Sequence, residues 1–390
     1  MAKYATLYTY PWDLHDEGVE QALDVIVETG VTNVSLAVSY HVSTYFLPRN
    51  PKRKLYYGED GAIYFHPAAP LYADTDLKPR ISEVVTGPTF LTDLMDPIRK
   101  RGLSVTAWIV YGYNHDLPTR FPDAAKQNVF GDANLAQLSP SSPSFQNYAL
   151  ALTQDIVTNY QPDEVHLESI SYLPFSYGFR NPKVAVEIGA FDAFLLGICF
   201  NRHSLSAATE AGVDAGALQE EVADYLRHSL ARSPDAAAKR EPTEAALREA
   251  FGGRLGAYLD TLQATATSLF ESAARIVREG GAATSHNWPR PSWLTGLDLE
   301  RTLGCLDRVS IPAGNDAQPA SRVAAHREQL ADGQRIIADI QPAQFGGGSD
   351  LGFRLKALAD AGVDGFTFYN YGLLRTDQLE WVGAASGLWS

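Results

Sequence analysis

The chain has 390 residues, 45% of them hydrophobic and 11% aromatic, which is ample for a large buried core. A formal charge of −14 argues against nucleic acid or an anionic membrane as partner, since phosphate binding needs basic surface. The two cysteines, Cys199 and Cys305, match neither a disulfide framework nor a metal spacing, which points to a reducing compartment; homo-oligomerisation stays open.

The first strand pattern, Tyr-Ala-Thr-Leu-Tyr-Thr-Tyr, closes on Pro11-Trp12-Asp13. So few residues precede it that we expect no signal peptide and no transmembrane run, hence a cytoplasmic protein. A helix is expected over 17–30, with Val19, Ala22, Leu23, Val25 and Ile26 on one face and Gly30 as its stop. The second strand, 31–38, closes on Ser39-Tyr40-His41. From 41 to 88 there is no helical period, but proline, glycine and tyrosine abound; we expect an ordered loop or small hairpin over a substrate site. Within it, Arg49, Lys52, Arg53 and Lys54 read as an ordinary solvated loop.

A helix over 89–102 leads to a third strand, 103–110, which closes on Tyr111-Gly112-Tyr113-Asn114-His115. The next helix opens near Pro143, and the fourth strand ends at Glu168-Ser169. Residues 174–280 form a helical insertion, with helices at 217–232 and 254–279 and a polar linker at 233–242. Strands at 282–286, 306–311, 335–341 and 365–371 then alternate with helices at 293–304, 319–331 and 351–361. This order predicts an α/β fold, a (β/α)8 TIM barrel filling 1–390 as one domain, with a long excursion after strand two and the insertion after strand four.

Each strand ends in polar groups set among aromatics, as expected of one site across the C-terminal face of a barrel. Glu168 is the sharpest candidate for chemistry. A carboxyl at a strand end, near Tyr172, Phe175 and Tyr177, is partly desolvated, which raises its pKa toward the range of a general acid. Glycoside hydrolysis needs a second carboxylate across the sugar, and Asp339 is the choice because strand alternation places it beneath Gln341 on strand seven. Asp316 and Asp13 are the other acidic candidates. Sugar hydroxyls and C–H faces are expected to meet Tyr40, His41, Trp108, Tyr111, Asn114, His115, His286, Asn287, Trp288, Gln341, Tyr369 and Asn370.

These residues imply a hydrolase that cleaves a glycosidic bond in a small glycoside or oligosaccharide. A rival is a metal-dependent sugar isomerase, epimerase or lyase using His41, His115, His286 and Glu168; another is a sugar-binding barrel without catalysis. No His-x-His or His-x-x-x-His spacing occurs, so no metal is assigned. No P-loop, Gly-x-Ser-x-Gly or Cys-x-x-Cys motif occurs, so no cofactor is expected, and Gly346-Gly347-Gly348 reads as a flexible loop.

Ser39-Tyr40-His41, Gly61-Ala62-Ile63-Tyr64-Phe65, Glu168 and the run Asp364 to Tyr371 together resemble the uncharacterised glycoside-hydrolase-like barrels of bacteria. The resemblance covers most of the barrel. In the large retaining clan of glycosidase barrels the acid/base is a Glu ending strand four, usually after Asn, and the nucleophile is a Glu ending strand seven. Glu168 matches the first role by position, while Leu167 replaces the Asn and Gln341 stands in place of the second Glu. The departure leaves open inversion, a nucleophile such as Asp339, or a non-hydrolytic activity.

Overall fold

A computed structural model describes residues 4–313 and 319–389. Eight parallel strands close into a barrel: β1 (Tyr4–Thr9), β2 (Asn33–Tyr40), β3 (Ser104–Val110), β4 (Glu164–Glu168), β5 (Ala283–Asn287), β6 (Arg308–Pro312), β7 (Arg335–Ile340) and β8 (Gly365–Phe368). Neighbours in sequence are neighbours in the sheet, and β1 pairs with both β2 and β8 to close the ring. Around it run α1 (Val19–Glu28), α2 (Phe90–Lys100), α3 (Pro143–Tyr160), α4 (Arg254–Glu279), α5 (Leu299–Leu303), α6 (Pro319–Arg327), α7 (Gly348–Asp360) and α8 (Thr376–Ala384). Thus the expected barrel is present. No helix among the described residues is long and apolar enough to cross a membrane.

Local chemistry explains the elements. In α1, Ala22, Leu23 and Ile26 form the buried stripe, and the left-handed Gly30 follows the last turn. Ser142 caps α3 by accepting from the Phe145 backbone N–H, with Pro143 at the first helical position. Outward residues of the strands, such as Val165 and Leu167 on β4, are fully buried under the helices. The inward face is unusually polar at its N-terminal end. There Arg308 pairs with Glu164 at 2.6 Å, Tyr4 donates to Glu164 at 2.9 Å, and Asn33 Nδ2 donates to Thr106 at 2.9 Å.

The excursion after β2 is ordered, as its aromatic content implies. It forms a hairpin of Thr44–Phe46 with Leu55–Tyr57, then lays Ala62–Ile63 antiparallel on the end of β2. Its basic cluster is not a solvated loop. Arg49 donates to the carbonyls of Leu374 (2.9 Å) and Tyr371 (2.8 Å), and Arg53 holds the buried Asp16 at 2.8 Å; only Lys52 and Lys54 stay on the surface. Arg49 therefore fastens the excursion across the barrel seam to the segment after β8, and Arg53 fastens it to the short helix after β1.

The segment after β1 also departs from expectation. Pro11–Glu17 is a short helix, with Pro11 in its first turn and Asp13 Oδ2 accepting from the Tyr10 backbone N–H at 3.1 Å. The insertion after β4 contains Ala190–Gly197, Arg202–Glu210, Ala215–Leu230, Ala236–Lys239 and Glu244–Glu249, so the polar linker is itself partly helical. Phe200 stacks on Tyr258 of α4 at 4.9 Å, joining the insertion to the barrel's own helix.

Because Arg308 is held among Glu164 and Tyr4, replacing Glu164 by Ala strands a cation inside the barrel. We expect Glu164→Ala to lose about 3 kcal/mol of stability in urea denaturation. A loss below about 1 kcal/mol would show that water, not Glu164, satisfies that guanidinium.

Candidate active site

At the C-terminal mouth a cavity of about 760 Å³ is lined from all eight strands. Tyr8 comes from β1, Tyr40 and His41 from β2 and the residue beyond it, Trp108 from β3, and His166 and Glu168 from β4. Asn287, Pro312, Asp339 and Thr367 follow from β5 to β8, with Gln341 and Tyr369 just past their strands. The pleat explains the pairing of names: His166 and Glu168, like Asp339 and Gln341, lie two apart and share a face. On β2 the register shifts between Ala37 and Ser39; the extra residue reverses the alternation and turns Tyr40 inward.

Glu168 accepts a hydrogen bond at Oε2 from Trp108 Nε1, 2.6 Å away. Burial pushes its pKa up, and the indole N–H, which favours the ionised form, offsets part of that rise. Asp339 accepts from the Thr367 hydroxyl. Its pKa is pushed up to about 7, first by burial and further by the Glu168 carboxylate, against the hydroxyls of Thr367 and Ser310. Two carboxyl groups that feel each other this way titrate as a pair.

Arg322 also lines the cavity, and the phenols and imidazoles around the two carboxyl groups are uncharged. Tyr10, buried beneath the mouth, shares its phenol with Tyr369 at 2.7 Å and donates to Tyr40 at 3.2 Å. Tyr8 packs edge-on against Trp108 at 4.8 Å, and burial together with Asp339 and Glu168 drives its pKa far up, so it stays a phenol. His166 rests against Ser285 Oγ at 3.1 Å, and burial lowers its pKa to about 3. His41 donates from Nδ1 to the Val42 carbonyl at 2.9 Å; burial lowers its pKa to about 4, leaving Nε2 as an acceptor.

Of the residues expected from sequence, Tyr40, His41, Trp108, Glu168, Asn287, Asp339, Gln341 and Tyr369 line this cavity. Others do not. Asp13 is buried as a helix cap beside Gly372, and Asn370 is buried with Oδ1 accepting from the Gly372 backbone N–H at 3.3 Å. Tyr111 falls on the outward side of its strand and shares its hydroxyl with Thr153 at 2.8 Å. Asn114 accepts from the Leu117 backbone N–H at 2.8 Å, and His115 meets the Gly178 carbonyl at 3.1 Å beside a separate hollow. His286 and Trp288 face a smaller adjoining pocket. Asp316 lies outside the described residues. His41, His115 and His286 thus do not converge, and among the described residues no group of three His, Cys, Asp or Glu could hold a metal ion.

The mouth also contains residues that sequence reasoning passed over: Tyr8, His166 and Thr367. His166 and Thr367 lie two positions before Glu168 and Tyr369, which were considered, so strict alternation was the available signal for those two.

No family model matches the sequence, and no curated protein matches it. Solved structures do match in fold. One is the catalytic domain of beta-amylase from Paenibacillus polymyxa, at TM-score 0.55 and 14% identity over 96% of this chain and 94% of that one. Another is alpha-L-fucosidase isoenzyme 2 from Paenibacillus thiaminolyticus, at TM-score 0.56 and 13% identity over 99% and 49%. A third is a beta-galactosidase from Halorubrum lacusprofundi, at 0.58 and 12% over 98% and 57%. The chain spans about half the length of the latter two. It therefore shares its barrel architecture with glycoside hydrolases, and at these identities the likeness concerns the fold.

A carboxyl whose pKa is raised in the folded state stabilises the fold fully below its unfolded pKa and less as pH rises through the folded one. For Asp339 that window runs from about 4 to about 7. Asp339→Asn should therefore match the wild type in stability at pH 4 and exceed it at pH 8, by up to about 4 kcal/mol, in denaturant titrations at both pH values. A difference independent of pH would contradict the buried, strained carboxylate.

Proposed function

We propose that the chain is an enzyme that hydrolyses a glycosidic bond in a small glycoside or oligosaccharide. The observation that carries this is the pair Glu168 and Asp339. Both face one aromatic-walled cavity, which Arg322 also lines, and burial raises the pKa of each. Trp108, Tyr40 and Tyr369 offer faces for pyranose C–H surfaces, while His41, Asn287 and Gln341 offer groups for hydroxyls.

Glu168 is the acid/base of this proposal because it faces both the main cavity and the pocket beyond, whereas Asp339 faces only the first. These roles require the singly protonated pair with its proton on Glu168. That proton passes to the glycosidic oxygen as the C–O bond breaks. Asp339, as carboxylate, either bonds to the anomeric carbon or takes a proton from the attacking water.

Glu168→Gln and Asp339→Asn should each lower turnover of any cleaved aryl glycoside by roughly 10²–10⁴-fold without unfolding the protein. Because burial raises Asp339, the wild-type acid limb should lie above the range of an ordinary carboxylate. Full turnover in either variant would end the assignment. Following the anomeric proton by NMR during turnover gives the stereochemical outcome, which decides between the two roles of Asp339.

A further inference from the structure

The main cavity does not end at Glu168. A smaller hollow of about 140 Å³ adjoins it, and Glu168, Tyr177 and Asn287 line both. The outer wall of this hollow is the loop after β5, where Arg290 stands between Pro289 and Pro291. The flanking rings restrict the backbone around it, so the guanidinium is offered at the rim with less freedom to lose. Arg290 is exposed, and among the described residues it makes no hydrogen bond or ion pair. In a chain of net charge −14, with acidic side chains abundant, no carboxylate among the described residues pairs with that cation.

The inner wall is suited to a sugar-sized polar unit. His286 donates from Nδ1 to the Leu167 carbonyl, so its neutral ring turns an Nε2 lone pair elsewhere, ready to accept from a hydroxyl. Trp288, braced by His326 at 4.0 Å, supplies a ring face.

We propose that this side pocket receives the leaving-group side of the substrate and selects a unit bearing an anionic oxygen group, a carboxylate, sulfate or phosphate ester, through Arg290. This rests on the hydrolase reading, because Glu168 can protonate the leaving oxygen only if the departing unit lies beside it. An anion paired with a guanidinium gains charge-assisted hydrogen bonds that a neutral sugar lacks, and bidentate geometry distinguishes arginine from lysine.

The test is calorimetric binding of glucose, glucuronate, glucose 6-sulfate and glucose 6-phosphate to the intact protein at low salt. At least one anionic sugar should bind about tenfold or more tightly than glucose, and the strongest of the three identifies the anion. The gain should shrink at high salt, vanish in Arg290→Gln and persist in part in Arg290→Lys. Equal binding of neutral and anionic sugars, or a preference that survives Arg290→Gln, would overturn the proposal. Because binding requires no turnover, the two readings fail separately. An Arg290-dependent preference in a protein that cleaves no glycoside would keep the pocket's anion selectivity and remove the hydrolase; cleavage without the preference would do the reverse.

Discussion

Closure of the barrel between β1 and β8 is the constraint on which the site depends. Tyr4 stands opposite Gly365 at the seam, and a Cβ on Gly365 would lie 2.1 Å from the Tyr4 carbonyl oxygen, so the strands meet there only because that side chain is missing. Closure fixes the total stagger of the strands around the ring. The pleat then decides which residues face inward, because a slip of one residue would turn a strand's inward set outward. Glu168, Asp339, Trp108 and Tyr8 reach one cavity because those registers agree.

The same enclosure explains the electrostatics. Aromatic rings at the mouth withdraw water from two carboxyl groups, and the cost of keeping both ionised appears as raised pKa values. The hydrogen bonds provided are uneven. An indole N–H points at Glu168 and a threonine hydroxyl at Asp339, while the histidines nearby stay neutral. Deeper in the barrel the Arg308 and Glu164 pair satisfies its charges internally, so the cation there does not neutralise the mouth. A polar interior is thus divided into a paired floor and a mouth whose carboxyl groups are left to titrate.

Much of the architecture is readable in the sequence because strand and helix periods alternate in a fixed order, and Glu168 is readable because glutamate is a poor strand former at a strand's end. Side-chain direction near the ends is harder. The bulge on β2 that turns Tyr40 inward leaves no mark in composition. Tyr111 and Tyr369 look equivalent beside their strands, yet alternation sends the first outward and the second inward. Asp13 and Asn370 carry the same chemistry as a site residue, but one oxygen of each accepts from a nearby backbone N–H, a local competition typical of these side chains. Arg49 was indistinguishable from a surface cation because its acceptors, the Tyr371 and Leu374 carbonyls, lie at the far end of the chain.

The central claim is that Glu168 delivers a proton to the departing oxygen from the junction of the two pockets. It is tested most directly by comparing kcat/KM of wild type and Glu168→Gln on glycosides that differ only in leaving group. A 2,4-dinitrophenyl group departs without protonation, so the variant should stay within about tenfold of wild type there; on an alkyl leaving group it should fall by roughly 10²–10⁴-fold. An equal loss on both substrates would show that Glu168 does not act as the acid.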